Sequence, residues 1–341
     1  MATPRTMRAV QYDKYGGGAD GLKHVEVPVP SPKEGEVLLK MEAASINPID
    51  WKIQKGMLRL FRMPSKFPFT PVSDLAGEVV ELGSGVSNFK PGEKVISICF
   101  PHGGGLAEYA VAPASLTVAR PAEVSAVEGA CLPTAAGTAL QLLKAVGVSF
   151  DGGPPPSGSS GPKNLLVTAA SGGVGHYAVQ LAKLAGVQHV TATCGARNAG
   201  LVAGLGADEV LDYRTPEGAA LRGPSGRRYG AVAHCATGVP WSVLRAALDD
   251  GGGTVADVTP GIGAAVTSFL QKVTLSKKRL VPLMLAPKTE EMEWLVDVAR
   301  QGKLRTVVDS RYPLSRAQEA WAKSMDGHAT GKIVVEIGGA V

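Results

Sequence analysis

Residues 165–182 constrain the fold more than any other stretch. They read Leu-Leu-Val-Thr-Ala-Ala-Ser-Gly-Gly-Val-Gly-His-Tyr-Ala-Val-Gln-Leu-Ala. The apolar opening, bounded upstream by a Pro/Gly/Ser loop, suits a strand buried on both faces of a parallel sheet. A turn of small residues follows. From Gly175 the apolar spacing is helical, through Val174, Ala178, Val179, Leu181, Ala182 and Ala185. In the G-x-G-x-x-G register the three positions are Ala170, Gly172 and Gly175. With 43 glycines in 341 residues, the spacing alone carries little weight. The strand before it and the helix after it give it meaning. Small residues let the backbone approach a pyrophosphate, and the first helical N–H groups point at it. The bland alternative is a tight strand-to-helix turn that binds nothing.

From there the chain alternates. Strands are expected at 165–170, 189–194, 209–213, 229–236 and 253–259, with a further apolar run at 280–285. Helical stretches lie between them, so a doubly wound parallel sheet is expected. The N-terminal part reads differently. Short strands at 7–12, 24–29, 36–43, 74–83 and 91–96, then a glycine loop feeding another strand over 103–111, with dense turn punctuation, indicate an all-β unit. A short helix is expected at 51–57 after the Asn47-Pro48 turn, and helix again over 126–146. Residues 151–162, rich in Gly, Pro and Ser, read as a surface loop. From about Val307 the order is strand, helix, strand, closing on Gly331-Lys332-Ile333-Val334-Val335.

Composition excludes several classes. No apolar run approaches the ~20 residues that span a bilayer. The net charge of +5 is mild. Clusters such as Ser276-Lys277-Lys278-Arg279 read as solvated faces, and no aromatic-interleaved basic stretch suggests nucleic acid. The cysteines, Cys99, Cys131, Cys194 and Cys235, form no C-x-x-C pair and fit a reducing compartment. Residues 1–6 are too short for a transit peptide, and no secretory signal is visible.

The second strand of the alternating region ends Thr193-Cys194-Gly195-Ala196-Arg197-Asn198. A NAD site needs an acidic side chain here for the ribose hydroxyls. None is present, and Arg197 is placed to meet a 2′-phosphate. One charge-assisted hydrogen bond of about 1.5–3 kcal/mol favours the phosphorylated cofactor by roughly ten- to a hundredfold. The cofactor is therefore expected to be NADPH.

The order of Asn-Pro-Ile-Asp at 47–50, Gly-Leu-Ala-Glu-Tyr at 105–109, Ala-Ala-Ser-Gly-Gly-Val-Gly at 169–175, Leu-Gly-Ala-Asp-Glu-Val-Leu-Asp-Tyr at 205–213 and Gly-Lys-Ile-Val-Val at 331–335 resembles the medium-chain dehydrogenase/reductase superfamily in its quinone oxidoreductase branch. Residues 47–56, 191–198 and 328–336 resemble the plant chloroplast-envelope members most closely. The resemblance implies a GroES-like catalytic domain from both chain ends (1–127 and 287–341) and an inserted Rossmann domain (128–286), with the cofactor in the cleft between them. It implies NADPH-dependent, zinc-independent reduction of the C=C bond of α,β-unsaturated carbonyls, including oxidised fatty-acid derivatives. The alternatives are quinone reduction and a non-catalytic, membrane-associated member of the fold. A homodimer, peripheral on the inner chloroplast envelope, is likewise implied.

By matching position, the resemblance puts Asn47 and Lys52 at the nicotinamide end, as the catalytic pair. Thr138 falls near the nicotinamide ribose and phosphates, although the helix reads Ala136-Gly137-Thr138-Ala139 where relatives have Gly-Leu-Thr-Ala. Ser171, Gly172, Gly173 and Val174 fall on the pyrophosphate. Gly195, Arg197 and Tyr213 fall around the 2′-phosphate. Cys235, Ala236, Thr259 and Pro260 flank the nicotinamide half, and Lys332 joins the cofactor set.

No metal is expected. Catalytic zinc takes three ligands from Cys, His or Asp/Glu, and where the zinc branch has its first cysteine this chain has Asn47. The chemistry expected is hydride transfer to the β-carbon. Lys52 is the candidate donor, to the oxygen on which charge develops or to the cofactor ribose, the bland alternative being an exposed helix lysine.

Overall fold

The computed structural model describes residues 5–150 and 161–338. The expected loop at 151–162 falls almost wholly outside them. The chain divides into two compact units. One comprises Met1–Gly137, Pro287–Gly302 and Thr306–Val341; the other comprises Thr138–Ala286 and Lys303–Arg305.

The first unit is β-rich. A hairpin pairs β1 (Thr6–Gln11) with β2 (Lys23–Pro28). The main sheet uses β3 (Glu36–Ile46), β4 (Asp74–Leu82), β5 (Lys94–Ile98), β6 (Tyr109–Pro113) and β7 (Thr117–Ala119). Two late strands, β14 (Val308–Pro313) and β15 (Lys332–Glu336), join it in the order β14-β15-β3-β4-β5-β7, with β6 also on β3. Near-continuous burial along β3 and the first half of β4 puts Leu39, Met41, Leu75 and Val79 in the core beside Trp321. Trp321 lies on the helix Ala317–Asp326 and is fully buried. Its indole Nε1 donates to Gln54 Oε1 at 3.0 Å, tying that helix to α1 (Pro48–Gln54). A buried aromatic of this size contributes on the order of 3–5 kcal/mol.

Register does the important work in this unit. Antiparallel pairing sets Ile333 opposite Ile46 and Ser45 opposite Asp74. The residue that follows β3, Asn47, therefore falls between Lys332 on one neighbouring strand and Asp74 on the other.

The helical region expected at 126–146 is continuous but not uniform. α2 (Ala126–Cys131) leads into a π-helical turn at Leu132–Ala136 and then α3 (Gly137–Ala145). Pro133 cannot donate an α-helical bond, and the wider turn accommodates it.

The second unit is the expected parallel sheet. Its strands are β8 (Asn164–Val167), β9 (His189–Cys194), β10 (Glu209–Asp212), β11 (Ala231–His234), β12 (Gly253–Asp257) and β13 (Lys278–Pro282). Their order is β10-β9-β8-β11-β12-β13, all parallel. Winding runs outward from β8 in one direction and then reverses at β11. That switch point, at the carboxyl ends of the strands, is where open α/β sheets bind ligands. The helix α4 (Gly175–Leu184) follows β8. No helix among the described residues is long and apolar enough to cross a membrane.

Candidate functional site

The turn between β8 and α4 is built for close approach. Ala169 takes φ 49°, and its N–H donates to Thr193 Oγ1 at 3.1 Å while Ala170 N–H donates to Thr193 O at 2.8 Å. The turn is thus pinned to β9. A Cβ on Gly175 would lie 2.3 Å from Ala169 O, so the helix can start this close to the strand only with glycine there. Ser171, Gly172, Gly173 and Val174 form the turn itself, and it runs straight into the first turn of α4, where His176 N–H donates to Gly172 O at 3.1 Å and Ala178 N–H to Val174 O at 3.0 Å.

At the end of β9, Gly195 is covered by the Tyr213 ring, which a Cβ would meet at 3.6 Å. Tyr213 is 46% exposed, and the Arg214 guanidinium sits 5.6 Å from its ring centre. Arg197 is exposed on the short turn Ala196–Asn198. An open aromatic face and the Arg197 cation, with Asp212 on the adjoining strand beside Cys194, fit an adenosine 2′-phosphate. These residues and the glycine turn fit a phosphorylated dinucleotide.

Farther along the same strand ends, Thr168 Oγ1 accepts from the N–H groups of Cys235 at 2.9 Å and Ala236 at 3.3 Å. It also lies 2.8 Å from His234 Nδ1. Thr259 Oγ1 donates to Ala236 O at 3.0 Å, and Thr259 N–H donates to Asp257 Oδ1 at 2.8 Å. The structure therefore brings Cys235, Ala236 and Thr259 into one polar chain, with Pro260 next in sequence. Burial holds the His234 imidazole below its ordinary value, opposed by Asp257, and pushes the Cys235 thiol up to about 12. Cys235 is an inert thiol rather than a nucleophile. The resemblance had already put His234 in the loop beside the nicotinamide half; Thr168 and Asp257 were given no role from sequence, since each reads as an unremarkable strand-end residue until parallel pairing aligns the three ends. Thr138 is buried at the start of α3.

The first unit holds a buried polar cluster around Asn47. Its Nδ2 donates to Asp74 Oδ2 at 2.8 Å and to Ser45 O at 3.2 Å, and its Oδ1 accepts from Lys332 Nζ. Asp74 also accepts from Thr134, at 2.6 Å from Oγ1 and 3.2 Å from N–H. Asp50 Oδ2 accepts from Asn47 N–H at 2.7 Å, at the first turn of α1. Burial raises both carboxyls: Asp50 to about 7, and Asp74 upward against the pull of Lys332. The sequence reading had Asn47 beside the nicotinamide and Lys332 in the cofactor set. In the structure their side chains are buried and bonded to each other. They fix the start of α1.

That helix carries Lys52. Burial lowers its ammonium below the ordinary lysine value. Its Nζ has no ion pair or hydrogen bond among the described residues and lies 5.8 Å from the Trp51 ring centre. Trp51 Nε1 is buried and likewise unpartnered. Two unspent donors thus sit on neighbouring residues of one short helix. Trp51 was missed because the sequence gives no sign that its N–H goes unanswered.

Family models match at both ends of this architecture. An alcohol dehydrogenase GroES-like domain covers residues 33–122, and a zinc-binding dehydrogenase domain covers residues 205–335. The chloroplast envelope quinone oxidoreductase homolog of Arabidopsis thaliana is 60% identical over 336 residues, covering 97% of this chain and 99% of that one. The chain belongs to the medium-chain dehydrogenase/reductase superfamily, in its quinone oxidoreductase branch. A more distant relative, the NADPH-dependent alkenal/one oxidoreductase of Arabidopsis chloroplasts, is 32% identical across 97% of this chain and 80% of its own. The quinone oxidoreductase of Coxiella burnetii has the same fold, with TM-score 0.85 and 30% identity over 98% of this chain and 100% of that one. A mycobacterial protein, Rv1454c, solved with NADPH, gives TM-score 0.77 and 28% identity over 97% and 99%.

The name of one family model implies zinc. Among the described residues no group of three or more His, Cys, Asp or Glu is arranged to hold a metal ion. In the Asn47 cluster the Lys332 ammonium already supplies positive charge, and the Asp74 oxygens are bonded to Asn47 and Thr134. This donor set does not fit zinc.

Proposed function

We propose that this chain is an NADPH-dependent oxidoreductase whose acceptor is a quinone. The observation that carries the reading is its 60% identity, over almost the whole length of both chains, to a protein named as a quinone oxidoreductase homolog. This reverses the order reached from sequence, where C=C reduction stood first. The enone reading stays second, supported by the 32% identity to an alkenal/one oxidoreductase. Both acceptors are conjugated carbonyls, and both gather negative charge on oxygen as they are reduced.

NADPH, when bound, supplies the hydride. The turn at 171–174 holds the pyrophosphate at the positive end of α4. Arg197 and the Tyr213 face hold the 2′-phosphate end. Thr168 and Thr259 fix the backbone at Cys235 and Ala236. Lys52 donates to the acceptor oxygen as charge develops there. The lowered Lys52 pKa eases proton delivery to that oxygen. Asn47, Asp74 and Lys332 position α1 through their mutual hydrogen bonds. The peripheral chloroplast envelope location is part of the same proposal, supported by relatives named for that compartment, and a homodimer is proposed with it.

The test is oxidation of NADPH, and separately NADH, by purified protein with a simple quinone, a short enone and a long-chain enone, with product analysis. Quinone turnover to the hydroquinone, with NADPH far ahead of NADH, is expected. Saturated ketone formation with negligible quinone turnover would overturn the quinone reading in favour of the enone one. Cofactor binding without turnover of any acceptor would leave a non-catalytic member of the fold.

A further inference from the structure

Residues 219–229, in the second unit, read Ala-Ala-Leu-Arg-Gly-Pro-Ser-Gly-Arg-Arg-Tyr and hold no acid. Arg222 stands three positions before Ser225, and Arg227 and Arg228 stand two and three after it. All four are exposed. Arg228 is engaged: it donates to Ala246 O at 2.7 Å and lies 3.6 Å from Asp250. The guanidinium groups of Arg222 and Arg227 have no ion pair or hydrogen bond among the described residues. Two unspent guanidinium forks thus flank one serine hydroxyl, and such forks match the oxygens of a phosphate.

One carboxylate holds this serine in place. Ser225 N–H donates to Glu209 Oε1 at 3.0 Å, and Ser225 Oγ donates to Glu209 Oε2 at 2.9 Å. A Cβ on Gly223 would lie 2.5 Å from Glu209 Oε2, so the loop backbone rests directly on the carboxylate. Thr191 Oγ1 donates to the same oxygen at 3.2 Å. Burial raises the Glu209 carboxyl, but the bonds from Ser225 and Thr191, with His189 nearby, hold it below its ordinary value on balance. It is therefore an anion at neutral pH. His189 Nε2 lies 3.8 Å from it, buried and without a hydrogen-bond partner among the described residues.

We infer that Ser225 is a phosphorylation site, taken by a protein kinase whose acidic peptide groove reads the arginines around it, and that the phosphate releases the loop from Glu209. Ser225 Oγ attacks the γ-phosphorus of ATP, the bond to the β–γ bridging oxygen breaks, ADP leaves and the hydroxyl proton passes to the kinase's catalytic base. Opposite charge selects the kinase. The product carries about −1.5 to −2 charges where the hydroxyl stood 2.9 Å from an anion. It has also lost the proton it donated there. Repulsion lifts the loop from Glu209, and Arg222 and Arg227 take the phosphate. Glu209 then has His189 Nε2 as its nearest unspent partner. Ser65 also has an arginine three positions before it, Arg62, but Lys66, Phe67 and Pro68 follow it in place of the second arginine cluster.

The experiment incubates the native full-length protein with ATP and the catalytic subunit of cyclic-AMP-dependent protein kinase. Mass spectrometry maps the phosphate, and hydrogen–deuterium exchange follows residues 221–229 before and after. One phosphate is expected, on Ser225. Ser225→Ala should lose it, and Arg222→Gln should slow its addition about tenfold, the loss of one charge-assisted contact to the kinase. Exchange over the loop should quicken about tenfold on phosphorylation, because the Ser225 N–H leaves its carboxylate acceptor. No phosphate on Ser225, phosphate on Ser65 in its place, or Arg222→Gln modified as fast as wild type would overturn the site. Phosphorylated protein whose loop exchanges at the unmodified rate would overturn the release from Glu209.

Discussion

Replacing Asp50 by Asn tests the buried cluster through its protons. The Asp50 carboxyl is raised from 3.8 to about 7 by burial, with Asp74 adding to the rise and Asn47 N–H and Lys332 opposing it. The folded chain therefore holds this proton more tightly than the unfolded chain. The stability this contributes is fully present below the unfolded value and is lost as pH rises through about 7. At 1.36 kcal/mol per unit, the loss between pH 4.5 and 7.5 integrates to about 3 kcal/mol. Asn keeps an oxygen to accept the Asn47 N–H but cannot ionise. Asp50→Asn should thus lose less stability than wild type across that range, by about 3 kcal/mol. Urea unfolding in a Trp241→Phe background measures it, because Trp51, Trp294 and Trp321 then report the first unit. A wild-type-minus-variant difference that changes by less than about 1 kcal/mol over the range would refute the argument. Asp50 would then titrate as an ordinary carboxyl.

Arg197→Ala should raise the KM for NADPH roughly ten- to a hundredfold and leave NADH unaffected, as steady-state kinetics with each cofactor would show. Lys52→Met should lower kcat/KM for the acceptor by about 10²–10³ with NADPH binding intact, the loss typical of a missing oxyanion donor. Gly175→Val puts a Cβ 2.3 Å from Ala169 O. It should abolish NADPH binding and lower the melting temperature, whereas Gly204→Ala, with open space around its Cβ, should do neither.

The fold was largely legible because its signals are local. Apolar runs, turn residues and helical spacing marked all six parallel strands to within a few residues, and the β8–α4 turn announced itself by composition. Arg197 was read from the end of the second alternating strand, whereas Gly195 and Tyr213 came from the resemblance; the structure places all three at neighbouring strand ends. The Asn47 cluster was not legible. Its Lys332 is 285 positions away, and only the pairing of β15 with β3 brings it to Asn47. Motif matching gave Lys332 and Asn47 their positions but not the direction of their side chains, which is set by burial. Thr168 was hidden because a threonine at a strand end is common. Its three hydrogen-bonding neighbours exist only once β8 and β11 lie side by side.

The pairing of β15 with β3 also sets an order of assembly. Domains tend to form as units while the chain is synthesised from its N-terminus. The second unit is nearly contiguous and has all its strands by Pro282. The first unit begins earlier yet must wait for β15, the last strand in chain order. Until then Asn47 and Asp74 have no ammonium, and a carboxyl destined for the interior remains uncompensated. The nucleotide-binding half can therefore mature during translation while the half that starts first is finished last. A ribosomal product cut off ahead of Lys332 would carry a folded second unit on an open first one, marking itself for proteolysis.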